Sequence, residues 1–225
     1  MRGLRPRSGP PVSSIPLGAM TADFLRDVES NPNNRAILSR WSLLDLPESW
    51  LVAGCLFQTV WNLKAGRIPH FGIKDYDLFY FDPSDLSKEG EMKAQMHAES
   101  VLGDLGLNIE VANQARVHLW YPEHFGHTYP QLASVEDGIR RFLVLETCVG
   151  ARPKQCHSPF GLIGIYAGTL TPNPRTPYPE LFANKVASYR ERWNWLTVSP
   201  ARAENGNHES AAHDATYFIP AARPE

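Results

Sequence analysis

Cysteine is scarce in this chain: Cys55, Cys148 and Cys156 are the only three among 225 residues. An odd and widely spaced set argues against a disulfide framework and for a reducing compartment. Apolar runs are short, and none approaches the roughly 20 residues that cross a bilayer. The first twenty residues carry arginines without the apolar stretch of a signal peptide. A soluble cytoplasmic protein with no membrane partner is therefore expected. Charge of one sign is also lacking, because 22 Lys and Arg stand against 24 Asp and Glu, a formal net charge of −2. Nothing in that balance offers a general coat for long nucleic acid, so any polyanion must be met by local positive charge or by a metal. Internal repeats and low-complexity core segments are absent.

What is present is an ordinary apolar share, 43%, on a chain long enough to bury one proper core. Residues 1–20, rich in Pro, Arg, Gly and Ser, read as a disordered extension. Residues 199–225 lack periodicity and read as a loose tail, with Tyr217, Phe218 and Ile219 able to dock back. Residues 21–198 form the domain. Within it, "TADFLRDVES" and "NRAILSRWSLLDL" have helical spacing, the second capped by Asn33 or Asn34. "SWLVAG" is a short apolar run, and "CLFQTVWNLKAG" a helix closed by Gly66. "GIKDYDLFYFD" (72–82) reads as a strand ended by the turn "DPSD". A helix over about 86–104, started by Asp85 or Ser87, leads to a second strand, "LNIEV". A helix opening near Asn113, a short one over "SVEDGIRRFL" and a strand at "TCVGARP" follow. A loop-rich stretch then runs through Pro177, and an amphipathic helix from "PYPELF" closes the domain. This order predicts an α+β domain, a small mixed β-sheet flanked by helices.

Two aspartates in one apolar strand are the anomaly. Residues i and i+2 of a strand face the same way, so Asp75 and Asp77 share one side and Tyr76, Leu78 and Tyr80 the other. Aspartate is disfavoured in strands, and two carboxylates held this close repel. A divalent cation between them makes the arrangement favourable, and Mg²⁺ is commonly held by one or two carboxylates plus substrate phosphates. Glu110, on the next strand, completes a three-carboxylate cluster if that strand pairs beside the first; otherwise it faces solvent on an edge. Gly54 stands at a strand-to-helix turn, where glycine lets amides approach a phosphate at the positive end of a helix. Lys74 and Arg116 either neutralise an anionic ligand or are, respectively, a solvated charge and a partner for a core carboxylate. Asn113 either contacts a ligand or caps its helix. His118, His124 and His127 crowd together, but no cysteine or carboxylate stands at structural-zinc spacing, so they read as core residues.

A glycine turn, a helix and then a hydrophobic Asp-x-Asp strand resemble the DNA polymerase β-like nucleotidyltransferase superfamily. More closely, "GIKDYDLFYFD" (72–82), "NQARVHLWY" (113–121) and "PFGL" (159–162) resemble a bacterial nucleotidyltransferase-like family, over residues 35–198. The resemblance implies the nucleotidyltransferase fold and transfer of a nucleoside monophosphate from a nucleoside triphosphate, dependent on Mg²⁺ or Mn²⁺. The acceptor is a small molecule, an RNA end or a protein side chain. It also implies that Asp75, Asp77 and Glu110 bind metal and carry the catalysis, and that Gly54 and Cys55 cradle phosphate. "LTPNPRTPY" (170–178) and Lys185 also resemble family positions, so Asn173 and Lys185 either reach substrate or serve as scaffold and surface charge. Four departures bear on this: Cys55 in place of the usual serine, a long gap before Asp75, glutamate rather than aspartate at 110, and Ile163-Gly164 where acidic residues are expected after "PFGL". The Cys55 and Ile163 departures keep open a non-catalytic nucleotide-binding module on the same fold.

Overall fold

Alternation along two neighbouring strands decides which residues are core and which are exposed. The computed structural model describes residues 17–126 and 128–200. Chain order is α1 (Leu17–Ser30), α2 (Pro32–Ser39), β1 (Trp50–Val52), α3 (Gly54–Lys64), β2 (Asp75–Tyr80), α4 (Lys88–Leu102), β3 (Asn108–Asn113), α5 (Val117–Phe125), α6 (Val135–Ile139), β4 (Gly150–Arg152), β5 (Gln155–His157), α7 (Ile163–Ala167), β6 (Thr169–Leu170), α8 (Pro179–Arg192) and β7 (Thr197–Val198). The main sheet has five strands in the order β3-β2-β1-β4-β5, and only β2 and β3 run parallel. That one parallel pair needs a crossover, which α4 supplies. The expected mixed sheet flanked by helices is what forms.

Two apolar clusters sandwich the sheet. Tyr76, Leu78 and Tyr80 of β2, with Ile109 and Val111 of β3 and Leu51 of β1, enter the larger cluster together with side chains of α1, α3, α4 and α8. Phe79, Trp50, Val52 and Ala112 face the other way, into a smaller cluster closed by residues of α5 and α6. The period of two thus divides each strand between two cores.

The open edge of β3 is covered by side chains rather than by another strand. Gln95 of α4 accepts from the Val111 amide at 2.8 Å and donates to the Ile109 carbonyl at 2.7 Å. Glu91, one turn earlier, accepts from the Asn113 amide at 2.9 Å. These groups would otherwise template further strand pairing.

Several local expectations shift. Asn31, not Asn33 or Asn34, caps α2, its carboxamide oxygen accepting from the Asn33 amide; Pro32 at the first helical position fixes that start. Ser87 caps α4. Leu17–Met20, assigned by composition to the loose extension, form the first turn of α1, and Met20 and Phe24 enter the core. The stretch before Pro177 contains β5, α7 and β6, and β6 pairs with β7 in a separate two-stranded parallel sheet. Residues 1–16 and the tail from 201, with its Tyr217–Ile219 segment, lie outside the described residues.

Asn62 anchors the segment that delivers the chain to β2. Fully buried at the end of α3, it donates to the carbonyls of Pro69 and Phe71 at 3.0 and 2.8 Å and accepts from the Trp193 indole at 3.0 Å. At about 1 kcal/mol net per bond, with desolvated partners left behind, Asn62→Ala is expected to cost about 2–4 kcal/mol. Urea denaturation checks the cost, and hydrogen exchange should show faster opening of residues 66–73.

Candidate functional site

The paired strands β2 and β3 align Asp75 with Asn108, Asp77 with Glu110 and Phe79 with Ala112. All six side chains share one face. At the far end of that face Phe79 and Ala112 lie under the α5–α6 cluster. At the near end the face is open, and the four polar residues line a cleft of about 1110 Å³. One strand pair therefore carries a buried apolar end and an exposed acidic end, divided by a single step in register.

The carboxylates are held in graded environments. Asp75 is exposed and Asp77 is only 8% exposed. Burial, reinforced by the neighbouring charges of Glu110 and Asp75, pushes the Asp77 carboxyl up to about 7, and the Lys185 ammonium of α8 opposes the shift. The Lys185 pKa is itself lowered, by burial first. Asn108 ties the cluster together: its amide donates to Asp75 Oδ1 at 2.9 Å and to Glu110 Oε1 at 3.3 Å. This residue escaped sequence reasoning, and the signal for it was the register of the two strands, which the sequence alone does not give.

Beside the carboxylates stands the start of α3. Val52 pairs with Asp77 across β1 and β2, so the next residues, Ala53 and Gly54, turn into the helix at the edge of the acidic patch. Ala53 has φ 60° and ψ −131° and supplies no side-chain cap. A non-glycine residue in that conformation stores on the order of 1–3 kcal/mol of strain. The first turn of α3 therefore begins without a side-chain cap at the edge of the cleft, which Ala53 and Gly54 line and where the helix dipole is positive.

Of the residues singled out from the sequence, Asp75, Asp77, Glu110, Gly54 and Lys74 line the cleft, as does Lys185. The Cys55 side chain does not: it is fully buried, its thiol donates to the Val52 carbonyl at 3.3 Å, and burial raises its pKa well above the ordinary value. Only its backbone amide stands at the helix start. Arg116 is likewise outside the cleft, paired with Glu91 and donating through Nε to the Leu86 carbonyl at 3.3 Å. Asn113, fully buried, accepts from the Asp82 and Ala115 amides at 3.0 and 3.1 Å and donates to the Asp82 and Asp85 carbonyls at 2.9 and 3.2 Å. Both belong to a clamp that ties the turn before α4, and the first turn of α4 itself, to the segment that follows β3. Asn173 is a clamp too, donating to the Arg140 and Phe142 carbonyls at 2.8 and 2.7 Å. Sequence reasoning found polar residues near the right strands, but side-chain direction separates the cleft from the scaffold.

Among the described residues, no three His, Cys, Asp or Glu side chains converge closely enough to hold a metal ion by themselves. The donor chemistry nevertheless suits a hard cation, because Asp75, Asp77 and Glu110 present carboxylate oxygens to the same cleft. Mg²⁺ seldom takes an all-protein cage; one or two carboxylates with substrate oxygens suffice. A second hollow of about 460 Å³, on the other side of α8, is lined by residues such as Phe182, Val186 and Arg190 and contains no carboxylate.

A family profile described as Nucleotidyltransferase matches residues 39–198. Among solved structures, one described as an NMR structure that reveals a CCA-adding enzyme head domain is similar over 80% of this chain and 96% of that one, at 25% identity with a TM-score of 0.66. The comparison with curated proteins found no significant match.

Two outcomes are expected from this geometry. The native chain holds a proton on Asp77 that the unfolded chain releases at its ordinary value of 3.8. Stability from this group is therefore present at low pH and lost as pH rises from about 4 to about 7, by roughly 4 kcal/mol at most. Asp77→Asn should be more stable than wild type at pH 8, and thermal melts from pH 4 to 9 should show the difference growing to about pH 7 and then levelling. Asn113→Ala should instead lose about 2–4 kcal/mol with unchanged nucleotide affinity, as chemical denaturation and calorimetric titration will show.

Proposed function

Because the chain belongs to the nucleotidyltransferase family, we propose that it transfers a nucleoside monophosphate from a nucleoside triphosphate to an acceptor, with Mg²⁺ or Mn²⁺ held jointly by phosphate oxygens of the substrate and the carboxylates of Asp75, Asp77 and Glu110. The observation that carries this reading is the acidic end of the β2–β3 face, with buried Asp77 at its centre, opening into a cleft beside the uncapped start of α3. Each half of that arrangement is costly alone. A carboxylate trio repels itself, and an uncapped, strained helix start leaves donors unsatisfied. A metal-bound triphosphate relieves both.

The cation, when bound, supplies countercharge to the carboxylates and phosphates and lowers the pKa of an acceptor hydroxyl. The chain's own residues do the rest. The amides of Gly54 and Cys55 receive phosphate oxygens at the positive end of α3. Lys74 and Lys185 add positive charge around the triphosphate, and Asn108 keeps Asp75 and Glu110 in register. An acceptor oxygen then bonds to the α-phosphorus as the bond to the bridging oxygen breaks, and pyrophosphate leaves. Little covalent work falls to the protein, so positioning and electrostatics account for the catalysis.

The departures that motivate a non-catalytic module lose their weight on this reading. Cys55 contributes its backbone, so a serine hydroxyl at that position is not required. Ile163 begins α7 and is not among the residues that line the cleft. The acceptor is a small molecule, an RNA end or a protein side chain, and the near-neutral charge argues against a long nucleic acid.

Pyrophosphate release from labelled triphosphates, measured with Mg²⁺ or Mn²⁺ and a panel of the three acceptor classes, tests the reading. Asp77→Asn and Asp75→Ala are expected to lower turnover at least a hundredfold and to abolish the cation dependence of ATP affinity in isothermal titration. Wild-type turnover or metal-dependent binding in these folded variants would reject the clamp.

A further inference from the structure

Gln58 lies one turn after Gly54 on α3, and helical side chains lean toward the N-terminus, so its carboxamide covers the start of the helix. Its Nε2 stands 2.7 Å from where a Cβ at Gly54 would be. Glycine at 54 thus makes room for this amide. On the other side, Gln58 Oε1 accepts from Arg192 Nη1 at 2.9 Å. A guanidinium has donors and no acceptor, so it can bind only the amide oxygen. That fixes which way the carboxamide points: oxygen to Arg192, NH₂ toward Gly54 and the cleft, which both Gln58 and Arg192 line.

Arg192 is well placed to act as the fixed point. Its guanidinium stacks 4.5 Å from the Trp193 ring centroid, Nη1 also reaches the Gly72 carbonyl at 3.5 Å, and Nε reaches the Ser188 carbonyl at 3.5 Å. It therefore ties α8 to α3 and to the segment before β2.

We propose that the Gln58 carboxamide is a phosphate-contacting donor of the nucleotide site, with Arg192 as the positioning residue that orients it. The proposal rests on the nucleotidyl-transfer reading and adds to it a neutral, directional donor that neither the acidic motif nor the glycine turn contains. Two N–H bonds held beside the first amides of α3 complement a phosphate oxygen and repel a bare cation, so the group discriminates between the phosphate and metal ends of the cleft.

Gln58→Glu separates this role from a merely structural one. The glutamate keeps the tie to Arg192, as an ion pair, but removes both donors and adds negative charge. Isothermal titration of the full chain with ATP and Mg²⁺ is expected to show affinity weakened about ten- to hundredfold in Gln58→Glu and about tenfold in Gln58→Leu. Melting temperature should stay near wild type in Gln58→Glu. Tripolyphosphate should lose affinity in parallel, since the amide reads phosphate rather than the nucleoside. The double variant Gln58→Leu/Arg192→Lys should be no weaker than Gln58→Leu alone, because Arg192 acts through the amide. Wild-type affinity in folded Gln58→Glu overturns the proposal, and additive losses in the double variant overturn the role of Arg192. If wild type itself bound no ATP, the parent reading would fall, and this one with it.

Discussion

Asp77 is held nearly out of water between two other acidic side chains, and much of the architecture is arranged around that unfavourable placement. Its strand is central enough to be packed on one face by Tyr76 and Leu78, with Val52 on one side and Glu110 on the other. The aspartate cannot swing to solvent without breaking a strand that is buried at every residue but Asp75. Relief comes from outside the strand, partly from Lys185 on α8 and, on the reading favoured above, from a ligand. Sites of this kind run against stability, because the charge pattern that binds a cation is self-repelling without one.

A self-repelling patch stays in place only if its supports are rigid. Here rigidity comes from buried carboxamides that act on backbone. Gln95 satisfies the outer edge of β3, Asn113 pins the turn after β2, and Asn62 pins the segment before it. Asn31 and Asn34 join Thr59 to hold α2 against α3. Gln95, Asn113 and Asn62 meet main-chain groups at a sheet edge or in connecting segments, which no regular element satisfies. The short strands and long connections of this fold create many such groups, which explains why asparagine recurs at its buried positions.

The substitution of Cys55 for the serine usual in the resembling superfamily now has a structural explanation. At the second residue of α3 the side chain turns inward, where a small apolar thiol fits beside Val52. The backbone amide at that position is unchanged by the identity of the side chain.

The acidic strand, the helix after the glycine turn and the crossover helix were legible in the sequence, because periodicity and capping are local properties. So was the sharing of one face by Asp75 and Asp77, which follows from the period of two. For Arg116 and Asn113 the sequence left a ligand role and a scaffold role open, because a polar residue beside a motif looks the same whether it turns toward a cleft or a loop. Strand register, which sets Asn108 between two carboxylates, and the return of α8, which brings Lys185 and Arg192 across from more than a hundred residues away, are products of long-range packing. Local propensity determines what each segment becomes; only the assembled core decides which charges meet, because pairing partners are chosen by the burial of the opposite faces of the same elements.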